Sequence, residues 1–214
     1  MSQSPRVGLF VTCLVDLFRP VVGFAAVKLL EDAGCTVAVP ALQTCCGQPA
    51  YNGGDRSSAQ AIARDVIDAF EDFDYVVAPS GSCAGMLRRH YPNLLADDPA
   101  YASRATAMAV RVYELTAFLA DVRRIENTGA ERAGRAVYHD SCSCLRDLGV
   151  HEQPRRLLRQ VAGLDLAEAP ESDVCCGFGG AFAIKYGEVS GEIVGKKCAA
   201  LASTGAGMVL SADL

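Results

Sequence analysis

Two motifs of adjacent cysteines dominate the chemistry available to this chain. Cys45-Cys46-Gly47 recurs 130 residues later as Cys175-Cys176-Gly177. A lone cysteine precedes each pair at nearly the same distance: Cys13 by 31 intervening residues and Cys142 by 32. A repeat of that period implies a duplicated structural unit, and cysteines at matched offsets imply a duplicated ligand set. Adjacent thiolates suit a multi-iron cluster, because two irons can each take one sulfur. Neighbouring residues chelate one tetrahedral ion poorly, and a disulfide between them is strained. The spacing therefore points to iron–sulfur chemistry.

The first half offers four candidate ligands, Cys13, Cys45, Cys46 and Cys83, enough for a four-iron cluster. The second offers Cys142, Cys175 and Cys176. Counted from the second cysteine of each pair, Cys83 and Asp213 both lie 36 intervening residues on, and the sequence ends at Leu214. The second site is thus expected to be cut short at its C-terminal end and, in air, to be empty, partly oxidised or filled by a substitute metal such as zinc. A full second cluster would point to Asp213 or Cys144 as the replacement ligand. Gly47, Gly177, Gly179 and Gly180 are expected to let the backbone approach cluster sulfides and donate N–H bonds to them. Cys35 and Cys198 sit in apolar surroundings and read as small buried hydrophobes.

Competing chemistries explain less of the pattern. Gly81-Ser82-Cys83-Ala84-Gly85 could form a nucleophile elbow completed by His139 and Asp140, but this uses one cysteine and ignores the duplication. A thiol–disulfide reductase built on Cys45-Cys46 lacks the favoured C-x-x-C spacing. A zinc-binding structural or assembly module is the alternative that also accounts for many cysteines. His90 and His151 stand alone and read as ordinary satisfied residues. Gly177-x-Gly179-Gly180 lacks the full phosphate-cradling fingerprint, so no nucleotide site is expected.

Each half must position these residues with the same elements, and each reads β-α-β-α-β. In the first, strands are expected at 6–12, 35–40 and 75–79, with helices at 20–33 and 56–70. In the second, strands are expected at 136–139, 164–169 and 208–211, with helices at 153–162 and 179–202. Residues 86–130 read as a connection of one or two helices around 100–122. The fold class is α/β, two Rossmann-like halves over residues 1–130 and 131–214, with the cysteines in loops at the carboxyl ends of the strands. Ligands collect there in open α/β sheets.

Composition narrows the setting. A net charge of −5 and no basic stripe argue against nucleic acid as a partner. Arg155-Arg156 and Lys196-Lys197 are expected on solvated helix faces. No run approaches the ~20 apolar residues of a membrane span, and the apolar stretch after Arg6 reads as a strand rather than a signal peptide. A cytoplasmic protein that is not an integral membrane protein is expected, with its ten cysteines reduced.

The motifs Cys-Cys-Gly-Gln-Pro (45–49), Pro-x-Gly-Ser-Cys (79–83), Tyr-His-x-Ser-Cys (138–142) and Cys-Cys-Gly-Phe-Gly-Gly (175–180) resemble those of the lactate utilization protein A family of cysteine-rich CCG-domain iron–sulfur oxidoreductases. They are similar also to the iron–sulfur subunit of glycolate oxidase and to the CCG-domain subunit of heterodisulfide reductase. The resemblance implies electron transfer within a complex oxidising L-lactate to pyruvate. It further implies two partner proteins, one carrying ferredoxin-type clusters; the sequence itself shows no flavin or nicotinamide site. In the heterodisulfide reductase relatives each repeat ends in Cys-x-x-Cys and holds a noncubane four-iron cluster through five cysteines. That pattern places Ser80 and Asp213 at its first cysteine and the last one two positions beyond Leu214.

Overall fold

β1 (Arg6–Leu9) is buried at three consecutive positions without alternation, the pattern of a parallel strand covered on both faces. The computed structural model, which describes residues 4–213, places β1 beside β2 (Thr36–Ala38) and β3 (Tyr75–Ala78). A fourth strand, β4 (Val112–Glu114), joins the edge to give the order β2-β1-β3-β4. The second sheet holds β5 (Glu131–His139), β6 (Ala162–Glu168) and β7 (Met208–Ser211) in the order β6-β5-β7. Every pairing is parallel. In both halves the first strand is central, flanked by the second and third, so the α/β architecture is duplicated.

Strand register makes the duplication residue-specific. Gly8 pairs with Ala38 and Val76, and Val137 pairs with Ala167 and Val209. Cys13 lies five residues beyond Gly8, and Cys142 five beyond Val137. Cys45 lies seven beyond Ala38 and Cys175 eight beyond Ala167, so the one-residue difference in spacing falls in the loop after the second strand. Ser80 follows Val76 by four residues, as Asp213 follows Val209. Asp213 therefore stands at the place of Ser80, not of Cys83.

Local signals account for the helices. Thr12 caps α1 (Cys13–Phe18), its hydroxyl accepting the Val15 N–H at 3.3 Å. Pro20 opens α2 (Pro20–Asp32), and Gly34 ends it with φ +79°, leaving Cys35 N–H to bond the Leu30 carbonyl at 3.0 Å. Asp55 caps the helix Arg56–Phe70 through the Ser58 N–H at 3.0 Å. Most of the core belongs to the first half, where Phe10, Phe70, Met86, Leu87 and Tyr91 pack together on one face of its sheet. Val7, Leu9, Leu30 and Phe118 pack on the other, joined by Leu157 from the second half.

Four sequence expectations need correction. The connection between halves contains β4, whose three residues are too few to show a period among helical neighbours. Arg155 is buried because two carboxylates receive it, and Lys197 because backbone carbonyls of Glu171 and Ser172 do, at 2.7 and 3.4 Å. Cys198 is exposed, since Gly187–Ala202 turns its other side to the protein. Cys13 and Cys83 lie within short helices rather than loops.

Candidate functional site

All parallel strands of a sheet end on the same edge, so the loops after them converge there. In the first half this edge gathers Cys13, Cys45, Cys46 and Cys83. Cys13 Sγ lies 4.0 Å from Cys45 Sγ, Cys45 neighbours Cys46 through its thiol, and Cys46 neighbours Cys83. The row runs inward, from half-buried Cys13 and Cys45 to buried Cys46 and Cys83. In the second half Cys142, Cys175 and Cys176 cluster in the same way, with Cys175 exposed and the other two half-buried.

The two Cys-Cys-Gly loops share one backbone device. Gly47 N–H donates to Cys45 Sγ at 3.4 Å, and Gly177 N–H donates to Cys175 Sγ at 3.4 Å. Both glycines take left-handed backbone, φ +80° and +82°, which folds the amide back over the sulfur. Gly179 and Gly180 behave differently: their carbonyls accept from Phe182 and Ile184 at the start of the next helix. Neither donates its N–H to a cysteine sulfur among the described residues.

Each loop is anchored by a residue that spacing alone does not mark. The buried Tyr91 hydroxyl donates to the Cys46 carbonyl at 2.9 Å. Ser190 Oγ donates to the Gly177 carbonyl at 3.0 Å, and Lys197 holds the segment ahead of Cys175. Asp140, two residues before Cys142, is gripped by Arg155, which fixes the start of that loop. In the sequence Asp140 is readable only as a candidate triad member beside Cys142 and Lys197 only as part of a charge run; Tyr91 and Ser190 carry no motif.

The electrostatics suit a metal-bound state better than a reactive thiol. The neighbouring Cys46 thiol and burial push Cys45 up. Cys46 is lowered by Cys45, but Cys83 and burial outweigh this and leave it raised. Burial, then Cys45, raises Cys13; burial, then Cys175, raises Cys142. Thiols so placed stay protonated until a cation repays the cost of ionisation, which bound metal does while releasing the protons. A nucleophilic cysteine needs the opposite shift. The elbow reading also fails on geometry, because the Asp140 carboxylate is occupied by Arg155 and not by His139. Among the described residues no group of three or more His, Cys, Asp or Glu side chains is disposed to hold a single metal ion. The donor set is all sulfur, spread along a loop edge and supplied with N–H bonds, which fits a cluster with several metal atoms better than one zinc ion.

Fold and site together define a duplicated cysteine-rich α/β protein, and residues 7–88 and 136–213 each match the cysteine-rich CCG domain. Lactate utilization protein A of Geobacillus kaustophilus is 48% identical over 208 residues, covering 97% of this chain and 87% of the relative. Its namesake in Bacillus subtilis strain 168 is 46% identical with the same coverage, and that of Macrococcus caseolyticus 46% identical, covering 97% and 84%. The chain belongs to the lactate utilization protein A family. No helix of the described residues is long and apolar enough to cross a membrane.

Proposed function

We propose that this chain is an iron–sulfur electron-transfer subunit of a cytoplasmic complex that oxidises L-lactate. The carrying observation is the repeated loop in which a left-handed glycine donates its N–H to the first sulfur of an adjacent cysteine pair. Cys13, Cys45, Cys46 and Cys83 would hold one cluster, and Cys142, Cys175 and Cys176 would ligate a second. A cluster so held supplies one-electron redox capacity. Gly47 and Gly177 stabilise negative charge on sulfur, Tyr91 fixes the Cys46 backbone, and burial of Cys46 and Cys83 excludes water from the inner side of the first site. The lactate assignment draws on the names of the relatives.

Partner docking is supported by apolar side chains beside the cysteines. Leu17, Phe18, Val21 and Phe24, on and after the helix that begins with Cys13, are about two-thirds or more exposed, and Phe178 and Ile184 flank the second pair in the same way. Two partner proteins are proposed, one with ferredoxin-type clusters. Anaerobic purification tests the reading: bound iron and sulfide with broad absorbance at about 400 nm support it. That absorbance should bleach when the partners and L-lactate are added. Colourless protein carrying stoichiometric zinc would overturn it in favour of a structural zinc module.

A further inference from the structure

The second half reaches into the first through its last described loop. The Asp213 carboxylate accepts the Ser80 hydroxyl at 2.6 Å, the Ser82 hydroxyl at 3.0 Å and the Ser82 N–H at 2.9 Å. The Ala212 carbonyl accepts the Gly81 N–H at 3.0 Å. Ser80 is the residue that precedes the helix Gly81–Gly85, yet its own side chain makes no capping bond to that helix. The acceptor comes from the other half. Cys83 is the next residue after Ser82, so the turn held by Asp213 is the turn that aims Cys83.

Cys144 points the same way. A Cβ built on Gly81 would overlap Cys144 Sγ, so the first half keeps a glycine where the second half's buried cysteine packs. Both residues that could have substituted for a fourth ligand beside Cys142, Cys175 and Cys176 are therefore engaged with Ser80-Gly81-Ser82.

We infer that Asp213 is a positioning residue for Cys83 across the junction of the halves, and not a ligand of the second site. Folding of β7 then completes the first site, because the carboxylate arrives only when that strand has joined its sheet. The consequence for metal loading rests on the proposed role of Cys83 as a ligand; the positioning itself does not.

The metal-free full chain under reducing conditions provides the first test. Asp213→Ala should raise amide exchange at Ser82 and iodoacetamide alkylation of Cys83 by about tenfold, the loss of charge-assisted hydrogen bonds. Asp213→Asn, which keeps an acceptor oxygen without the charge, should fall between, and amides of β5 and β6 should keep their protection. Unchanged exchange and alkylation would overturn the proposal. If Asp213→Ala loses protection throughout, Ser82→Ala takes its place. It removes one donor and should raise exchange only within residues 80–84; an unaltered turn again overturns the proposal. Ferrous iron and sulfide then separate the two halves. With Cys142, Cys175 and Cys176 changed to Ser, Asp213→Ala should lower iron per chain. With Cys13, Cys45, Cys46 and Cys83 changed to Ser, it should not; loss of iron there would make Asp213 a ligand of the second site. A wild-type chain that takes up no iron would sink the iron–sulfur reading, while the exchange experiment would still decide the positioning role.

Discussion

Arg155 and Asp140 form a forked ion pair inside the protein, Nη1 to Oδ1 at 2.8 Å and Nη2 to Oδ2 at 2.6 Å, with side chains 2% and 1% exposed. Glu168 takes the other edge of the guanidinium, with Nε and Nη2 each at 2.8 Å, and the His151 carbonyl accepts Nη1 at 2.7 Å. The pair ties the helix Glu152–Leu158 to the segment that carries Cys142. Only arginine has the planar fork that serves two carboxylates and a carbonyl at once.

Arg155→Ala should therefore destabilise the protein by about 3–5 kcal/mol, since it strands the Asp140 carboxylate in the interior. Arg156→Ala should cost under ~1 kcal/mol, because its pair with Asp121 is half-exposed. Urea unfolding of the two variants in reducing buffer checks the contrast. Equal effects would mean that the buried pair is solvated in the native state.

The two loop glycines should differ on substitution. Both need left-handed backbone, which costs an alanine roughly 1–3 kcal/mol. At Gly47 an added Cβ meets Ile62 at 3.4 Å, ordinary contact that a side chain can relieve. At Gly177 it meets the Ser190 carbonyl oxygen at 2.8 Å and Ile193 Cβ at 2.9 Å on the facing helix, so the loop must lift. Gly177→Ala should cost about 1–3 kcal/mol more than Gly47→Ala by chemical denaturation. An equal cost would show that the second loop is not packed against Gly187–Ala202.

The sequence shows its repeated parts best and its joints worst. The equivalence of the two halves and the gathering of each cysteine set on one sheet edge follow from matched offsets, because a parallel sheet sends matched loops to one edge. The orders β2-β1-β3-β4 and β6-β5-β7 come from the strand pairing. Arg155 and Lys197 read as surface charge because a burial that depends on partners across the fold leaves no local period. Residue counting pairs Asp213 with Cys83, whereas register pairs it with Ser80. Counting alone does not show that the segments between the second and third strands differ in length.

Glu114 supplies a pH test. It is fully buried at the end of β4, and burial raises its pKa above the ordinary 4.5, against hydrogen bonds from Thr116 and Ala117 that lower it. Asp213 adds a further raising contribution. A carboxyl group whose folded pKa is raised holds its proton more tightly in the folded state. Its stabilising contribution is complete below the unfolded pKa and is lost as pH rises through the folded one. Glu114→Gln keeps an acceptor oxygen and removes the titration. The stability of wild type relative to Glu114→Gln should therefore decline from about pH 4.5 upward and level off once Glu114 has ionised in the folded state. A difference that grows with pH would reverse the assigned sign.

On the proposed iron–sulfur reading, air should strip the two sites in a definite order. Cys46 and Cys83 are 3% and 8% exposed, so the inner wall of the first site is sealed by protein. In the second site Cys175 is exposed, and Cys142 and Cys176 are half-buried. Solvent-exposed thiolates oxidise first, and a cluster loses its iron when its ligands do. Two variants isolate the sites, one with Cys142, Cys175 and Cys176 changed to Ser and one with Cys13, Cys45, Cys46 and Cys83 changed to Ser. Each would be loaded anaerobically with ferrous iron and sulfide, then opened to air while iron release to a chelator is followed. The variant retaining only the second site should lose its iron several-fold faster, on the order of the access difference. In the same assay Cys35→Ser and Cys198→Ser should leave iron per chain unchanged, since Cys35 packs in the apolar core with Val7, Leu9 and Leu30 and Cys198 stands exposed on the helix Gly187–Ala202. Faster loss from the first site would mean that the burial of Cys46 and Cys83 does not shield a cluster there.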